Sequence, residues 1–357
     1  MYKSFSIKNF RGFKDFKING FERINLIAGM NNSGKTSLLE ALFIHAGKNN
    51  PELLLNVNAF RGADTFKISL AEWSEMPWES LFYDRNTTES IELIAEWNSE
   101  TRKQVISTKI PHSNKNFDKN SKYFEQSTST IASPTPSSKI LQLDEGSGKR
   151  KKKNVLRFTH DGMKLDEAPA PDFPGYFIYS RKVSSMKEDA ELFGKLDISG
   201  EAENLVEALK IIEPRLKRLS TVYLNDIPVI HGDIGLDKLL PLSHMGEGIS
   251  RLASFLLRIS NCGNGVVFID EIENGFHYSV LGDIWKAIFD ISDKYNVQVF
   301  ATTHSYECTQ SAYKTFANSK NYDFAYFRLD RIEDSIIVSS YDKEALDYAF
   351  KSDVEVR

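Results

Sequence analysis

The octapeptide Gly29-Met30-Asn31-Asn32-Ser33-Gly34-Lys35-Thr36 fits the pattern G-x-x-x-x-G-K-[ST] at every position. An apolar run at 24–28 precedes it, and leucines at helical spacing follow it as far as Gly47. In this strand–loop–helix context the pattern forms a phosphate-binding loop. The glycines let backbone N–H groups face a phosphate, and the helix that begins there adds its positive end. The sequence therefore predicts a nucleotide-binding loop at 29–36.

The motif also indicates what the loop binds. Lys35 should reach the β- and γ-phosphates, and the Thr36 hydroxyl should bind Mg²⁺. The base-reading motif N-K-x-D of GTPases is absent, since Asn114-Lys115-Asn116-Phe117 fails at its last position. We therefore expect ATP and Mg²⁺. The predicted nucleotide-binding residues are Gly29, Asn31, Asn32, Ser33, Gly34, Lys35, Thr36 and Ser37.

A second apolar strand, Val-Val-Phe-Ile at 266–269, runs directly into Asp270 and Glu271. Ligands of parallel sheets bind at the carboxyl ends of such strands. Asp270 would help to hold Mg²⁺, and Glu271 would polarise the attacking water. Successive residues of a strand point to opposite faces, so the chain must bend here for both acids to serve one site.

Two further segments predict parts of the same site. The next apolar strand ends in Thr302, Thr303, His304 and Ser305, where the histidine could touch the γ-phosphate. Ser and Gly residues open a predicted helix at 248–260, and a helix N-terminus exposes N–H groups to an anion. The residues of this helix entry that we single out are Ser243, Gly246, Glu247 and Gly248.

Strands alternating with long helices predict a parallel sheet with crossover helices. Residues 1–110 form a predicted N-terminal lobe, 111–175 an insertion, and 176–357 a C-terminal lobe. The stretch 112–138 is rich in Ser, Thr, Asn, Lys and Pro, and a basic run follows from Lys149 to Lys153. A hairpin is predicted around Gly162, and a helix, bent or restarted at Pro214, over 201–219.

Composition limits the class of protein. Lysine and arginine total 45 against 49 acids, a net charge of −4, which gives no global signal for nucleic acid. The two cysteines, Cys262 and Cys308, lack metal-ligand spacing and suit a reducing cytosol. No run approaches the ~20 apolar residues that span a bilayer. We expect a cytoplasmic protein without a membrane segment.

The four elements in this order resemble the ABC/SMC/RecF/OLD branch of P-loop ATPases. NNSGKTSLLEALF at 31–43, IDEIENGFH at 269–277 and ATTHS at 301–305 are most similar to the stand-alone OLD-like ATPases of bacteria. Those ATPases are often encoded in phage-defence loci, such as the ATPase subunit of the PARIS system. Arg11, within Asn9-Phe10-Arg11-Gly12-Phe13, also matches the N-terminal strand of the group. The resemblance covers 1–50 and about 176–357.

The resemblance implies an α/β fold of the ABC/SMC head type, in which a parallel core sheet with flanking helices carries an antiparallel β subdomain. It assigns Glu271 and His304 to catalysis, and Thr36 and Asp270 to the metal. The helix entry at 243–248 stands in for the signature motif, although it reads SHMGEG rather than LSGGQ, so its γ-phosphate contact stays open. In this group the signature of one subunit covers ATP on another.

The resemblance therefore implies a homodimer or higher homo-oligomer with shared ATP sites. OLD nucleases continue into a Toprim domain, for which the residues after His304 are too few. Our leading hypothesis is a nucleotide-driven sensor or scaffold in an anti-phage defence complex, with a separate nuclease or toxin as effector. The alternatives are a RecF-like DNA-repair clamp, with phosphate contacts from Lys149–Lys153, an assembly protein without useful turnover, and a metal-dependent nuclease.

Overall fold

The computed structural model describes residues 1–59, 61, 78–109, 139–147, 150–159, 162–165, 170–180, 185–317, 319, 322–352 and 354–356. Its strands are β1 (Tyr2–Phe10), β2 (Phe13–Asn19), β3 (Ile24–Ala28), β4 (Ile91–Trp97), β5 (Glu100–Lys109), β6 (Lys139–Ser147), β7 (Arg150–Thr159), β8 (Gly162–Leu165), β9 (Gly175–Ile178), β10 (Arg218–Leu224), β11 (Ile227–Asp233), β12 (Leu240–Pro241), β13 (Val266–Ile269), β14 (Gln298–Thr302), β15 (Phe324–Ile332) and β16 (Ser335–Tyr341). Its helices are α1 (Lys35–Ala46), α2 (Glu52–Asn58), α3 (Met186–Ile198), α4 (Ala202–Leu209), α5 (Glu247–Ser260), α6 (Leu281–Lys294), α7 (Tyr306–Ala317) and α8 (Lys343–Lys351).

A six-stranded sheet in the order β16-β15-β3-β14-β13-β9 forms the centre of the fold. Neighbouring strands from β15 to β9 pair in parallel, and β16 pairs with β15 in the antiparallel sense. Every residue of β3, β13 and β14 is buried. These near-continuous apolar runs are typical of a parallel sheet that is covered on both faces.

Alternating side chains of the central strands supply two separate cores. Val267 and Ile269 of β13 pack in a cluster that includes residues of helices α5, α6 and α7. Val266 and Phe268 of the same strand pack on the other face, with residues of α1 and of β1. The sheet is thus sandwiched between a helical layer and a layer that contains α1 and the N-terminal strands.

A second sheet is antiparallel and has seven strands in the order β2-β1-β4-β5-β6-β7-β8. The predicted α/β fold, a parallel core sheet with flanking helices and an antiparallel β subdomain, is therefore confirmed. Strands on both sides of residue 110 belong to this one sheet, and β9 belongs to the parallel one. The division at 110 and 175 stays a prediction, and the polar stretch at 112–138 lies outside the described residues.

The predicted helix at 201–219 is wrong in its second half. Helix α4 ends at Leu209, and β10 begins at Arg218. Pro214 lacks a backbone N–H and its ring would clash with the carbonyl four residues earlier, so a helix cannot continue through this residue. Helix α3 was not predicted, although Ser185 caps it by accepting a hydrogen bond from the backbone N–H of Glu188. No helix in the described ranges is long and apolar enough to cross a membrane.

Candidate active site

The phosphate-binding loop lies between β3 and α1, at the carboxyl edge of the parallel sheet. Gly29 has φ +143° and Gly34 has φ +97°, backbone conformations that residues other than glycine rarely adopt. Gly34 is the residue immediately before α1, and no side chain caps that helix. The first N–H groups of α1 are therefore available to an anion. Asn31 and Asn32 are exposed at the tip of the loop.

Lys35 folds its side chain back over the loop that precedes it. Its ammonium donates hydrogen bonds to the carbonyl oxygens of Gly29, at 2.6 Å, and Met30, at 2.8 Å. Burial lowers the pKa of this ammonium, and the nearby carboxylates of Asp270 and Glu271 act in the opposite direction. The positive charge is thus held at the loop and next to the acidic strand end.

Asp270 is the meeting point of the two predicted nucleotide motifs. Its Oδ1 accepts hydrogen bonds from the hydroxyls of Thr36, at 2.9 Å, and Thr302, at 2.8 Å. Its Oδ2 accepts from the Ser180 hydroxyl at 3.1 Å, and the residue is 4% exposed. Three hydroxyls from three parts of the chain therefore aim one buried carboxylate at the start of α1.

Glu271 marks the end of the acidic strand. Strand β13 stops at Ile269, and Glu271 has φ +48°, so the predicted bend between the two acids is present. The backbone N–H of Glu271 donates to the Thr302 hydroxyl at 2.9 Å. Its Oε2 accepts a hydrogen bond from the Asn274 amide at 2.6 Å. The left-handed conformation turns this side chain away from the strand direction.

His304 follows β14, the strand that lies between β3 and β13. Its backbone N–H donates to Oε1 of Glu273 at 2.9 Å, and its ring Nδ1 lies 3.1 Å from the same oxygen. Glu273 also adds to the negative field on the Lys35 ammonium. The histidine thus lies close to the acidic strand end. Glu273 holds it there; the resemblance placed Glu273 in the D-loop region, but the sequence did not predict its contact with His304.

The helix entry at 243–248 exposes the uncapped N-terminus of α5. A 3-10 turn at Leu242–His244 leads to Gly246, whose φ is +117°, and α5 begins at the next residue without a side-chain cap. Ser243, Gly246 and Glu247 are exposed. The helix is tied to the acidic strand end by Arg251, which donates to the carbonyl oxygens of Asp270 and Glu271.

The comparison with known families agrees with this geometry. The AAA ATPase domain matches residues 1–309. The chain belongs to this family. It is therefore a P-loop ATPase domain that binds ATP, as the phosphate loop predicted.

Individual relatives of this AAA ATPase domain were also found. The chain is 25% identical over 387 residues to an ATP/GTP phosphatase of Helicobacter pylori, covering 99% of each protein. A shorter match of 42 residues, 50% identical, links it to an uncharacterized protein of Methanocaldococcus jannaschii, over 12% of this chain and 19% of that protein.

Among solved structures, the AAA ATPase domain is similar to heads of SMC proteins. An SMC head bound to the C-terminal winged-helix domain of ScpA is 12% identical, with 98% of this chain and 99% of that chain covered and a TM-score of 0.49. The SMC head of Thermotoga maritima is 11% identical, with 96% and 99% covered and a TM-score of 0.42.

An arginine-lined cleft adjoins the phosphate loop of the domain. The cleft has a volume of about 480 Å³, and the loop residues Asn32 and Gly34 form part of its wall. The buried Glu40 of α1 holds two of its arginines, Arg11 and Arg61. Of these three residues, only Arg11 was identified from the sequence. Glu40 and Arg61 were not, because their role depends on contacts between separate elements of the fold. The remaining arginines of the lining are Arg85 and Arg331.

The basic run predicted as a nucleic-acid contact lies mostly in the antiparallel sheet. Lys149 is outside the described residues, and the rest of the run belongs to β7. The strand register places Asp144 opposite Lys153 and Glu145 opposite Lys152. Asp144 is thus the cross-strand neighbour of Lys153, a pairing of opposite charges that is favourable in a sheet.

Proposed function

We propose that this domain hydrolyses ATP, with Glu271 as the residue that polarises the attacking water. The observation that carries the proposal is the 2.9 Å hydrogen bond between the hydroxyl of Thr36 and the carboxylate of Asp270. It joins two motifs 234 residues apart at one point, beside Lys35 and Glu271. Transfer of a phosphoryl group to water requires groups that position the reactants and stabilise the developing charge, and the protein need not form a covalent bond.

The oxygen atoms at this point fit Mg²⁺, which prefers carboxylate, hydroxyl and water ligands. Thr36 and Asp270 would hold the ion, since their oxygens already converge and Asp270 is oriented by Thr302 and Ser180. When bound, the ion would neutralise charge on the β- and γ-phosphate oxygens. Lys35 would transfer its hydrogen bonds from the loop carbonyls to the same phosphates.

The arginine-lined cleft would receive the nucleoside part of ATP. It opens beside Gly34 and Ser37, at the start of α1, so a nucleotide on the loop can extend into it. Arg61 is 42% exposed there and donates to the Ser37 hydroxyl at 3.1 Å. The guanidinium groups would stabilise the phosphate charge and stack on the base.

The active form of this proposal is a homodimer or higher homo-oligomer. The exposed N-terminus of α5 offers unpaired N–H groups to an anion, yet among the described residues no hydrogen bond or ion pair joins 243–248 to the phosphate loop. A second copy of the chain would bring this helix entry to the γ-phosphate. Ser243, Gly246, Glu247 and Gly248 are the residues proposed to act in this way.

The biological role we propose is that of a nucleotide-driven sensor or scaffold in a cytoplasmic anti-phage defence complex. ATP would close the oligomer, and hydrolysis or release of the partner would reset it. A separate nuclease or toxin would act as effector. This role rests on the similarity of the motifs at 31–43, 269–277 and 301–305 to OLD-like ATPases.

The proposal is tested by measuring molecular mass and ATP turnover of the purified protein together. We expect Glu271→Gln to lower turnover by at least about 100-fold while it holds ATP in a dimer or larger assembly. Lys35→Ala should lose ATP binding, and Glu344→Gln, which changes an exposed acid on α8, should behave as wild type. A monomeric wild type with ATP, together with normal hydrolysis by Glu271→Gln, would contradict the proposal.

A RecF-like DNA clamp is the competing function. Its phosphate contacts would come from Lys149–Lys153, of which Lys153 lies opposite Asp144 in the strand register. Binding of the isolated protein to duplex DNA, measured at two salt concentrations, separates the two functions. Tight, ATP-dependent binding that weakens steeply with salt favours the clamp, whereas weak binding favours the sensor or scaffold.

A further inference from the structure

Glu273 makes two contacts with the same histidine. Its Oε1 accepts a hydrogen bond from the backbone N–H of His304 at 2.9 Å and lies 3.1 Å from the ring Nδ1. The Glu273 side chain is 10% exposed, whereas the His304 side chain is 47% exposed. The glutamate is thus the enclosed partner, and the imidazole extends from it toward the surface.

The contact selects one form of the imidazole ring. An unprotonated Nδ1 would direct its lone pair at a carboxylate oxygen 3.1 Å away, which is electrostatically unfavourable. A hydrogen on Nδ1 removes this repulsion, as in other sites where a carboxylate orients a histidine. Nε2 is then the ring nitrogen that remains available to another group.

The second carboxylate oxygen of Glu273, Oε2, does not take part in holding the described part of the fold together through a hydrogen bond. Oε2 is buried and has no hydrogen-bond partner among the described residues. A buried acceptor without a partner costs free energy, so a purely structural role would be served better by a residue with one acceptor atom. Glu273 also acts electrostatically on the ammonium of Lys35, which places its charge within the field of the phosphate site.

We propose that Glu273 is the positioning residue of His304. It holds the ring by the backbone N–H and Nδ1, keeps the hydrogen on Nδ1, and leaves Nε2 to meet the bound nucleotide. The inference rests on the proposed function, because it needs His304 to act at the γ-phosphate end of ATP. Glu273 itself touches neither the nucleotide nor the attacking water.

The test compares Glu273→Ala, Glu273→Gln and His304→Ala in steady-state ATP hydrolysis. We expect Glu273→Ala to lower kcat by about 10- to 100-fold with little change in KM, the range typical of removing a residue that orients a metal-ligating histidine. Glu273→Gln keeps an acceptor oxygen and should recover part of this loss. Glu307→Ala changes a nearby acid that accepts from Ser305 instead, and should leave kcat unchanged.

Two further measurements separate positioning from a general loss of structure. In the His304→Ala background, Glu273→Ala should cause no additional loss, because its effect passes through the ring. Nitrogen-15 NMR of the histidine side chains should show hydrogen on Nδ1 of His304 in the wild type and in Glu273→Gln, and a shift toward Nε2 in Glu273→Ala.

The outcomes distinguish this inference from the proposed function. Full activity of Glu273→Ala with a strong loss in His304→Ala would overturn the positioning role and leave the proposed function intact. An additive loss in the double variant would overturn it as well. Loss of turnover in Glu271→Gln combined with full activity of His304→Ala would remove the histidine from the mechanism, and the inference with it.

Discussion

At the scale of one residue, Gly29 shows why the backbone of the phosphate loop requires glycine at this position. Its φ of +143° is rarely adopted by residues with a side chain. A Cβ atom at this position would lie 2.3 Å from the carbonyl oxygen of Leu329 in β15 and 2.8 Å from the Ser33 hydroxyl. The loop is therefore packed directly against the backbone of a neighbouring strand.

Gly29→Ala should destabilise the protein by about 1–3 kcal/mol, since it forces both a strained backbone and a clash with backbone atoms. It should also weaken ATP binding, because the loop must shift. Gly194→Ala is the matched control: a Cβ there meets nothing within 4 Å, and its position inside α3 favours alanine by about 1 kcal/mol. Thermal unfolding and ATP titration measure both effects, and equal melting temperatures for the two variants would contradict this explanation.

The residues of the candidate site differ in how far the sequence could predict them. Asp270 and Glu271 directly follow an apolar strand, so their place at the sheet edge was predicted, as was the bend between them. Glu273 contacts His304, 31 residues further along the chain, and this pairing depends on strand order. Sequence patterns report neighbours along one element, whereas these contacts arise between elements.

At the scale of elements, Glu40 joins three parts of the fold. It is a fully buried acid on α1, and its Oε2 lies 2.7 Å from Nε of Arg11, which follows β1. Arg61, which follows α2, donates to both carboxylate oxygens at 2.8 and 2.9 Å. Burial lowers the pKa of Arg11 to about 10 in spite of the carboxylate. One acid therefore compensates two guanidinium groups beside the cleft.

Glu40→Ala should lower the free energy of unfolding by about 3–5 kcal/mol, because it leaves the buried guanidinium of Arg11 without its oppositely charged partner. Glu40→Gln should cost less, since its amide oxygen still accepts a hydrogen bond. Glu191→Ala provides the control on α3, where an exposed acid lies 3.9 Å from Lys187 and contributes little. Urea unfolding midpoints give the comparison; equal midpoints for Glu40→Ala and Glu191→Ala would refute the linking role.

Helices and strands were predictable from the sequence where a single physical property, such as burial on both faces, determined the residue pattern. The central strands β3, β13 and β14 are buried on both faces, and their continuous apolar runs predicted them. The segment after α4 has apolar residues at helical spacing as well, yet it turns before Pro214 and continues as β10. Its pattern alone could not distinguish a long helix from a short helix followed by a strand.

At the scale of the whole molecule, the motifs meet at one edge of the parallel sheet. Crossover connections bring the ends of β3, β13 and β14 side by side there, with His304 after the middle strand. Arg251 ties α5 to the carbonyls of Asp270 and Glu271, so the exposed helix entry at 243–248 is fixed relative to the acids. If a second copy moved this helix entry, as the proposed oligomer requires, Arg251 would transmit the movement to Glu271, the proposed catalytic residue.

A mixing experiment tests whether two copies share each ATP site. Lys35→Ala disables the phosphate loop, and Ser243→Glu places a negative charge where the γ-phosphate would meet α5, a position that tolerates an acid in the fold. In a mixed two-fold dimer, one site carries both changes and the other carries neither. We expect two inactive variants to regain roughly a quarter of wild-type turnover when mixed, because half of the dimers are mixed and each has one intact site. Mixing Lys35→Ala with Thr36→Val should restore nothing, since every site then has a damaged loop. If the first mixture also stays inactive while mass measurements show mixed dimers, the helix entry serves its own subunit and the shared site is ruled out.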